Sequence, residues 1–438
     1  MGMASSKHPL LGRKAIVIAG PTAVGKSALA LKLCERLQGE LISVDSVQVY
    51  RELNIGANKP SPTEIARVPH HLLNIRDPSE EYTAGAFYRD ALTAVEDVLS
   101  RNKVPVLVGG TSMYMRWLAR GRPEAPKADP IIVDEVRGLL APLEAAGDWA
   151  GGLAQLEELD PERATQLSKN DWYRLERALT VAKQTNTTVG SLPPPEDTDG
   201  LDELRAALDL RCFFLCAPRE PLCRRIDERC EAMLTKGLLE ETCEQLLTGS
   251  LLPSSPAGRA IGYRQALQYL TRSGWKKSDS AAFNDFALDF AAVSRRYAAQ
   301  QTKWFRSEPT FEWVPANWDA PETTEERVFR SVECSRDAFD VALTSGEQRA
   351  LRLADPKLDK AMKLYIPKMA SVDEGSEALL ERADACRERL EPKLEELLVA
   401  DEEMAKRFPW ERKAKGEDNG GGGEASASAE KRAREEEA

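Results

Sequence analysis

Histidine is nearly missing from this chain: among 438 residues only His8, His70 and His71 carry an imidazole, and none follows position 71. Any proton transfer handled by later segments must therefore use another group, a carboxylate first of all. The eight cysteines (Cys34, Cys212, Cys216, Cys223, Cys230, Cys243, Cys334 and Cys386) include no CxxC pair. With no histidine beside them, a Cys2His2 zinc site in the second half is excluded. Cys223 and Cys230 lie seven apart on an expected helix and read as buried thiols in a reducing compartment. Long apolar runs are lacking too. None approaches the roughly 20 residues that span a bilayer, and no apolar signal-like core precedes the first expected strand. These absences lead to the expectation of no membrane contact and a cytoplasmic protein, with a longer, plastid-directed precursor left open. The net charge of −11 looks unfavourable to nucleic acid, but residues 1–320 carry −3 of it and residues 321–438 carry −8. The acidity is mostly that of the C-terminal part, so the whole-chain charge does not exclude a nucleic-acid site in front of it.

What the chain does contain is Gly20-Pro21-Thr22-Ala23-Val24-Gly25-Lys26-Ser27, the phosphate-cradling pattern GxxxxGK[ST], directly after the apolar run Ala15–Ala19. A strand apolar on both faces is that of a buried parallel sheet. After the turn, Leu29, Leu33 and Leu37 recur on one helical face, and Gly39 suits a left-handed helix cap. Backbone N–H groups at a helix N-terminus attract an anion, Lys26 adds a full charge, and Ser27 offers a hydroxyl to magnesium. Three further strands are expected at Leu41–Asp45, Val104–Gly109 and Cys212–Cys216, alternating with helices. A long amphipathic helix opened by Pro221, with Leu222, Ile226 and Met233 inward and a break near Gly237, follows the fourth strand, and another is expected from about Ala281 to Phe305. The fold class is α/β: a P-loop parallel-sheet core with a mostly helical insertion domain and a helical, partly disordered C-terminal extension. Loop-like Pro-rich stretches bracket the insertion, which is read as hinged over the sheet. The expected division is core 13–118, insertion 119–204, core again 205–315, helical extension 316–415, and a low-complexity tail 416–438.

Parallel strands bring their carboxyl ends together, so Asp45, ending the second strand, and Thr111, after Gly109-Gly110, are expected to face the phosphates. The strand Val104–Val108 ends in glycine and not in the acid that many nucleotide triphosphatases place there. Asp45 is thus the candidate proton acceptor. As bare residues, Asp45 also reads as a cap after a strand and Thr111 as a turn residue.

The ordered motifs carry a resemblance. Ile42-Ser43-Val44-Asp45-Ser46-Val47-Gln48-Val49-Tyr50-Arg51, Ile55-Gly56-Ala57-Asn58-Lys59-Pro60 and His70-His71-Leu72-Leu73-Asn74-Ile75 follow the phosphate loop. Leu107-Val108-Gly109-Gly110-Thr111-Ser112-Met113-Tyr114, Arg259-Ala260-Ile261-Gly262-Tyr263-Arg264-Gln265 and Gln301-Thr302-Lys303-Trp304-Phe305-Arg306 come after them. Over about residues 13–310 the chain resembles the tRNA dimethylallyltransferase family. The resemblance implies transfer of a dimethylallyl group from dimethylallyl diphosphate to the exocyclic amine of the adenosine beside the anticodon of tRNA. Gly20, Thr22, Ala23, Val24, Gly25, Lys26, Ser27 and Arg229 would hold the diphosphate, with Mg2+ on Ser27. Asp45 would accept the amine proton, with Thr111 and Lys26 as its catalytic companions. Asp45, Ser46, Val47, Gln48, Thr111, Arg174, Arg177, Arg264 and Arg295 would meet the tRNA, and the protein would act as a monomer. Arg229 reads equally as an exposed arginine on a charged helix, and Arg174 and Arg177 as a solvated face. His70 and His71 fall in a family motif and are expected to be packed or hydrogen-bonded.

Two departures stand out. Ala299-Gln300-Gln301 replaces a stretch that usually reads Lys-Arg-Gln, which leaves Arg295, Arg296 and Lys303 for weaker phosphate contacts. With no histidine after position 71, the appended zinc finger of many eukaryotic members is not expected here, and Trp304-Phe305-Arg306-Ser307-Glu308-Pro309 is most similar to the finger-less, bacterial-like plant class. Two rivals remain open: an enzyme that prenylates free AMP, ADP or ATP, and a P-loop nucleotide kinase.

Overall fold

The computed structural model describes residues 12–121, 129–187, 200–353, 362, 365–369 and 376–407. The chain opens with β1 (Lys14–Ala19), α1 (Lys26–Leu37), β2 (Gly39–Val44), α2 (Pro62–Arg67), β3 (His70–His71), α3 (Ala84–Ser100), β4 (Val104–Gly109) and α4 (Ser112–Arg120). Next come α5 (Pro130–Ala145), α6 (Trp149–Glu157), α7 (Pro161–Gln166) and α8 (Trp172–Thr185). They are followed by α9 (Leu201–Ala207), β5 (Asp209–Cys216), α10 (Arg219–Lys236), α11 (Leu238–Leu247), α12 (Tyr263–Leu270), α13 (Ser280–Phe305) and β6 (Glu312–Pro315). The last helices are α14 (Pro321–Glu333), α15 (Arg336–Leu343), α16 (Gly346–Arg352), α17 (Ser376–Leu390) and α18 (Leu394–Arg407). No described helix is long and apolar enough to cross a membrane.

Six parallel strands form one sheet in the order β3-β2-β4-β1-β5-β6. The four strands expected from apolar runs are present, and two short edge strands add to them. His70–His71 pairs with Leu41–Ile42, and Glu312–Pro315 pairs with Phe213–Cys216. The second falls inside the core span expected to run to residue 315, and Trp313 is buried there with its ring 4.4 Å from that of Phe214. One correction concerns the end of α1. The left-handed cap is Gln38 (φ 54), whereas Gly39 opens β2, where a Cβ would lie 2.6 Å from the Val104 carbonyl oxygen. Close strand approach, and not cap geometry, is what requires glycine there. Within β2, buried Glu40 is met by Arg101 and by His71 Nε2 at 2.7 Å, and the Arg101 guanidinium in particular holds its carboxyl down to about 2. His70 Nδ1 lies 2.7 Å from the Val68 carbonyl oxygen.

The described residues fall into two compact units, 12–121 with 200–398, and 129–187 with 399–407. The sheet belongs to the first. That unit also keeps the end of α4 and all of α9, which is tied to α3 by Tyr88 donating to Asp202 at 2.6 Å. The second has its own core, in which Val136, Leu140, Leu156, Leu175 and Leu179 pack around the edge-to-face pair Trp149 and Trp172, 5.1 Å apart. Residues 408–438, which include the low-complexity tail, lie outside the described residues.

Candidate functional site

Because β2, β4 and β1 are neighbours running the same way, their carboxyl ends deliver Asp45, Gly109-Gly110-Thr111 and the loop 20–27 to one edge of the sheet. A cavity of about 530 Å³ opens there. Its wall includes Thr22, Lys26, Ser27, Asp45, Ser46, Val47, Gln48, Thr111 and Arg229, all expected from the sequence. Gly20, Ala23, Val24 and Gly25 build the loop behind that wall without lining it. The loop's shape depends on left-handed backbone at Ala23 (φ 65) and Gly25 (φ 108), the latter being the residue from which α1 starts.

The electrostatics of the cavity are those of an anion site. Lys26 is pushed down to about 7, by burial above all and then by the Arg229 guanidinium, with Asp45 opposing. Burial also lowers Arg229. Lys26 Nζ donates to the Pro21 carbonyl at 2.8 Å. Among the described residues, neither Lys26 nor Arg229 forms an ion pair. Two cations that repel one another in a half-buried cleft favour an anion of more than one negative charge.

Asp45 both caps and points. Its Oδ1 accepts the N–H groups of Val47 (2.8 Å) and Gln48 (3.2 Å), which fixes the turn after β2. No hydrogen bond among the described residues occupies Oδ2, so a lone pair remains for a proton. Thr111 Oγ1 accepts from the Ser46 N–H at 3.2 Å, joining the two strand ends. Gln48 lines the cavity but is fully committed: Oε1 accepts from Ser43 Oγ at 2.8 Å, and Nε2 donates to the carbonyls of Ala57 and Asn58, each at 3.2 Å. Its function here is to hold the 54–60 turn, which Glu241 organises by accepting from the N–H groups of Asn54, Ile55 and Gly56.

The remaining basic candidates separate. Arg295 is turned inward: its guanidinium pairs with Asp227, 1% exposed, and lies over the Tyr365 ring. Tyr365 donates to the other Asp227 oxygen at 2.6 Å. The expectation that Arg295 reaches outward to a phosphate backbone is thereby corrected, since a buried carboxylate across from it takes the charge. Arg264 is half-buried on α12 and is not part of the cavity wall. Arg174 and Arg177 belong to the second unit on α8, with Arg174 exposed and paired to Asp171 at 2.7 Å.

Gln301 is a site residue to which the sequence reading gave no function. On α13 and 2% exposed, it accepts the Thr22 N–H at 3.0 Å and donates to the Gly110 carbonyl at 2.8 Å, bolting the phosphate loop to the loop that carries Thr111. Its signal was an uncharged polar residue on the helix face that also carries Ala298 and Phe305, both buried.

For magnesium, the donor set is sparse. Ser27 presents an exposed hydroxyl beside the loop, and no cluster of three His, Cys, Asp or Glu side chains capable of holding a metal occurs among the described residues. That set fits an ion carried mainly by ligand phosphate oxygens and water, with one protein hydroxyl added.

A parallel α/β core whose phosphate loop faces a carboxylate across one cavity defines a group-transfer enzyme that uses a phosphorylated donor. Comparison narrows the class. The family model described as IPP transferase matches residues 48–308. A tRNA dimethylallyltransferase 9 of Arabidopsis thaliana is 38% identical over 366 residues, 75% of this chain and 79% of the relative. A tRNA dimethylallyltransferase of Halorhodospira halophila is 41% identical over 67% of this chain and 90% of its own. The solved structure of a eukaryotic dimethylallyltransferase acting on tRNA superposes with a TM-score of 0.57 at 27% identity, over 78% of this chain and 87% of that one. The chain belongs to the IPP transferase family.

Proposed function

We propose that this enzyme transfers the dimethylallyl group of dimethylallyl diphosphate to the exocyclic amine of the adenosine next to the anticodon of tRNA and releases diphosphate. The observation that carries the reading is the pair Lys26 and Arg229, cations with no ion pair among the described residues, sharing one cavity with Asp45. In the reaction the allylic C–O bond breaks, its electron pair stays on the diphosphate, and a new bond forms from the adenine nitrogen to carbon. Lys26 and Arg229 stabilise the negative charge that grows on the departing oxygen. Asp45 Oδ2 takes the proton that the amine loses, while Oδ1 stays anchored to the turn and keeps the carboxylate aimed. Thr111, fixed through Ser46, shapes the wall between donor and acceptor. Mg2+, when bound at Ser27 and the donor oxygens, would neutralise diphosphate charge.

Arg174 and Arg177 are proposed to meet tRNA phosphates, which agrees with the exposure of Arg174. The resemblance that supports this reading also supports a monomer, and the location read for it is cytoplasmic with plastid delivery as the alternative. The test is to incubate the purified protein with labelled dimethylallyl diphosphate and either unmodified tRNA or AMP. Label entering tRNA is the expected result. Label moving only to AMP would sink the proposal, and robust ATP hydrolysis in place of transfer would favour a kinase.

A further inference from the structure

The phosphate loop is clasped by two side chains that take its main-chain carbonyls. Trp318, in the connection after β6, donates Nε1–H to the Val24 carbonyl at 3.0 Å. Arg225, one helical turn before Arg229 on α10, donates Nε–H to the Ala23 carbonyl at 3.2 Å. The two clasping groups also meet each other, the Arg225 guanidinium carbon lying 4.6 Å from the Trp318 ring centre. Trp318 is itself well anchored. The neighbouring Asn317 accepts the N–H groups of Asp319 (3.1 Å) and Ala320 (3.0 Å), and donates its own to Thr324 Oγ1 at 2.9 Å. Behind it α14 is tied to α1 by Lys32 with Glu325, Arg36 with Glu326, and the Arg36 guanidinium 3.3 Å from the Phe329 ring centre.

The consequence follows from peptide geometry. In a trans peptide the carbonyl and the following N–H point in opposite directions. A hydrogen bond that fixes the Val24 carbonyl toward Trp318 therefore fixes the Gly25 N–H away from it, and Arg225 does the same to the Ala23–Val24 plane. The Val24 N–H has a long 3.4 Å contact to the Pro21 carbonyl, while no acceptor among the described residues takes the Gly25 N–H. Ala23 at φ 65 is a conformation the loop would relax from unless held, whereas Gly25 adopts φ 108 without strain and so needs a partner to fix its direction.

We propose that Trp318 and Arg225 are positioning residues for diphosphate binding, which keep the Gly25 N–H and the start of α1 directed at the donor's phosphates. Trp318 lies beyond the span 48–308 matched by the family, so the family match does not assign it. The inference rests on the reading of this loop as the donor-diphosphate site. The test uses the full chain with W318F, which keeps the ring and removes the N–H, with R225M, with their double variant, and with K26M as the reference for the loop itself. Inhibition by inorganic pyrophosphate and the KM values for dimethylallyl diphosphate and tRNA are measured, together with Tm. Losing one such hydrogen bond should raise the donor KM and the pyrophosphate inhibition constant about fivefold. The KM for tRNA should stay as in wild type, and the double variant should fall short of the product of the singles because the two groups touch. Wild-type pyrophosphate inhibition in W318F and R225M alongside weakened inhibition in K26M would overturn the clasp and leave the loop assignment standing. Unchanged inhibition in K26M would overturn the loop assignment and the clasp with it.

Discussion

Replacing Gln301 by leucine tests the idea that the site is held together by a buried amide. Leucine nearly conserves the volume, so the loss is confined to hydrogen bonding. Gln301 accepts the Thr22 N–H at 3.0 Å and donates to the Gly110 carbonyl at 2.8 Å, from a position 2% exposed. Without it, the Thr22 N–H at the cavity wall loses its acceptor, and the Gly110 carbonyl keeps only Tyr297 at 3.4 Å. At about 1–3 kcal/mol for a stranded group, and with both groups only partly stranded, Q301L should lower the unfolding free energy by about 1–3 kcal/mol. The phosphate loop should also drift relative to Thr111, raising the KM for dimethylallyl diphosphate. Q301E sharpens the test. Its carboxylate can still accept from Thr22 but turns a second oxygen toward the Gly110 carbonyl, so it should be impaired at neutral pH and recover as the pH falls and the acid protonates into a donor. Denaturant midpoints and steady-state kinetics between pH 5.5 and 8 read both effects. A Q301L protein with wild-type midpoint and wild-type donor KM would refute the reasoning, as would a Q301E protein whose activity falls in parallel with wild type on acidification.

Three further outcomes are expected. D45N keeps an acceptor for the Val47 and Gln48 N–H groups, so its Tm should match wild type while kcat falls about 10²–10⁴-fold; wild-type turnover would remove Asp45 from the proton transfer. Lys26, pushed down to about 7 in the free protein by burial and Arg229, should be charged below that pH and neutral above it. A bound diphosphate favours the charged form, so pyrophosphate binding should take up a proton above pH 7 and weaken there by up to about tenfold per pH unit, and calorimetry in buffers of different ionisation enthalpy would show it. The K26M variant should lose that dependence. G109A places a Cβ 1.9 Å from the Val44 carbonyl oxygen on the adjacent strand, so it should cost more than about 4 kcal/mol and be seen as lost soluble yield or a collapsed thermal transition.

What the sequence disclosed and what it withheld divide along a physical line. Ala15–Ala19, the loop after it and Asp45 were legible because each signal is local: an apolar run, a glycine spacing, and a carboxylate at the end of a strand whose parallel neighbours must open onto the same edge. β3 and β6 were not, because two and four residues carry no period and become strands only when Leu41 and Phe213 present a free edge. Arg295 shows the same limit in a charge. Its residue type invites a phosphate, and what cancels the invitation is Asp227, 68 positions away, which counting charges along the chain cannot see. Gln48 was correctly brought to the cavity, yet its amide is spent on Ser43, Ala57 and Asn58, so belonging to a site and contacting its ligand are separate properties. Gln301 is the sharpest case, for its partner Thr22 lies 279 positions away. Next to Ala299 and Gln300 on α13, it is the residue of that stretch that joins the two halves of the site. The cavity wall was thus readable wherever a residue's own type and place in the chain carry the signal. It was unreadable wherever a residue acts by holding another, since such a role depends on a distant partner that only the folded chain supplies.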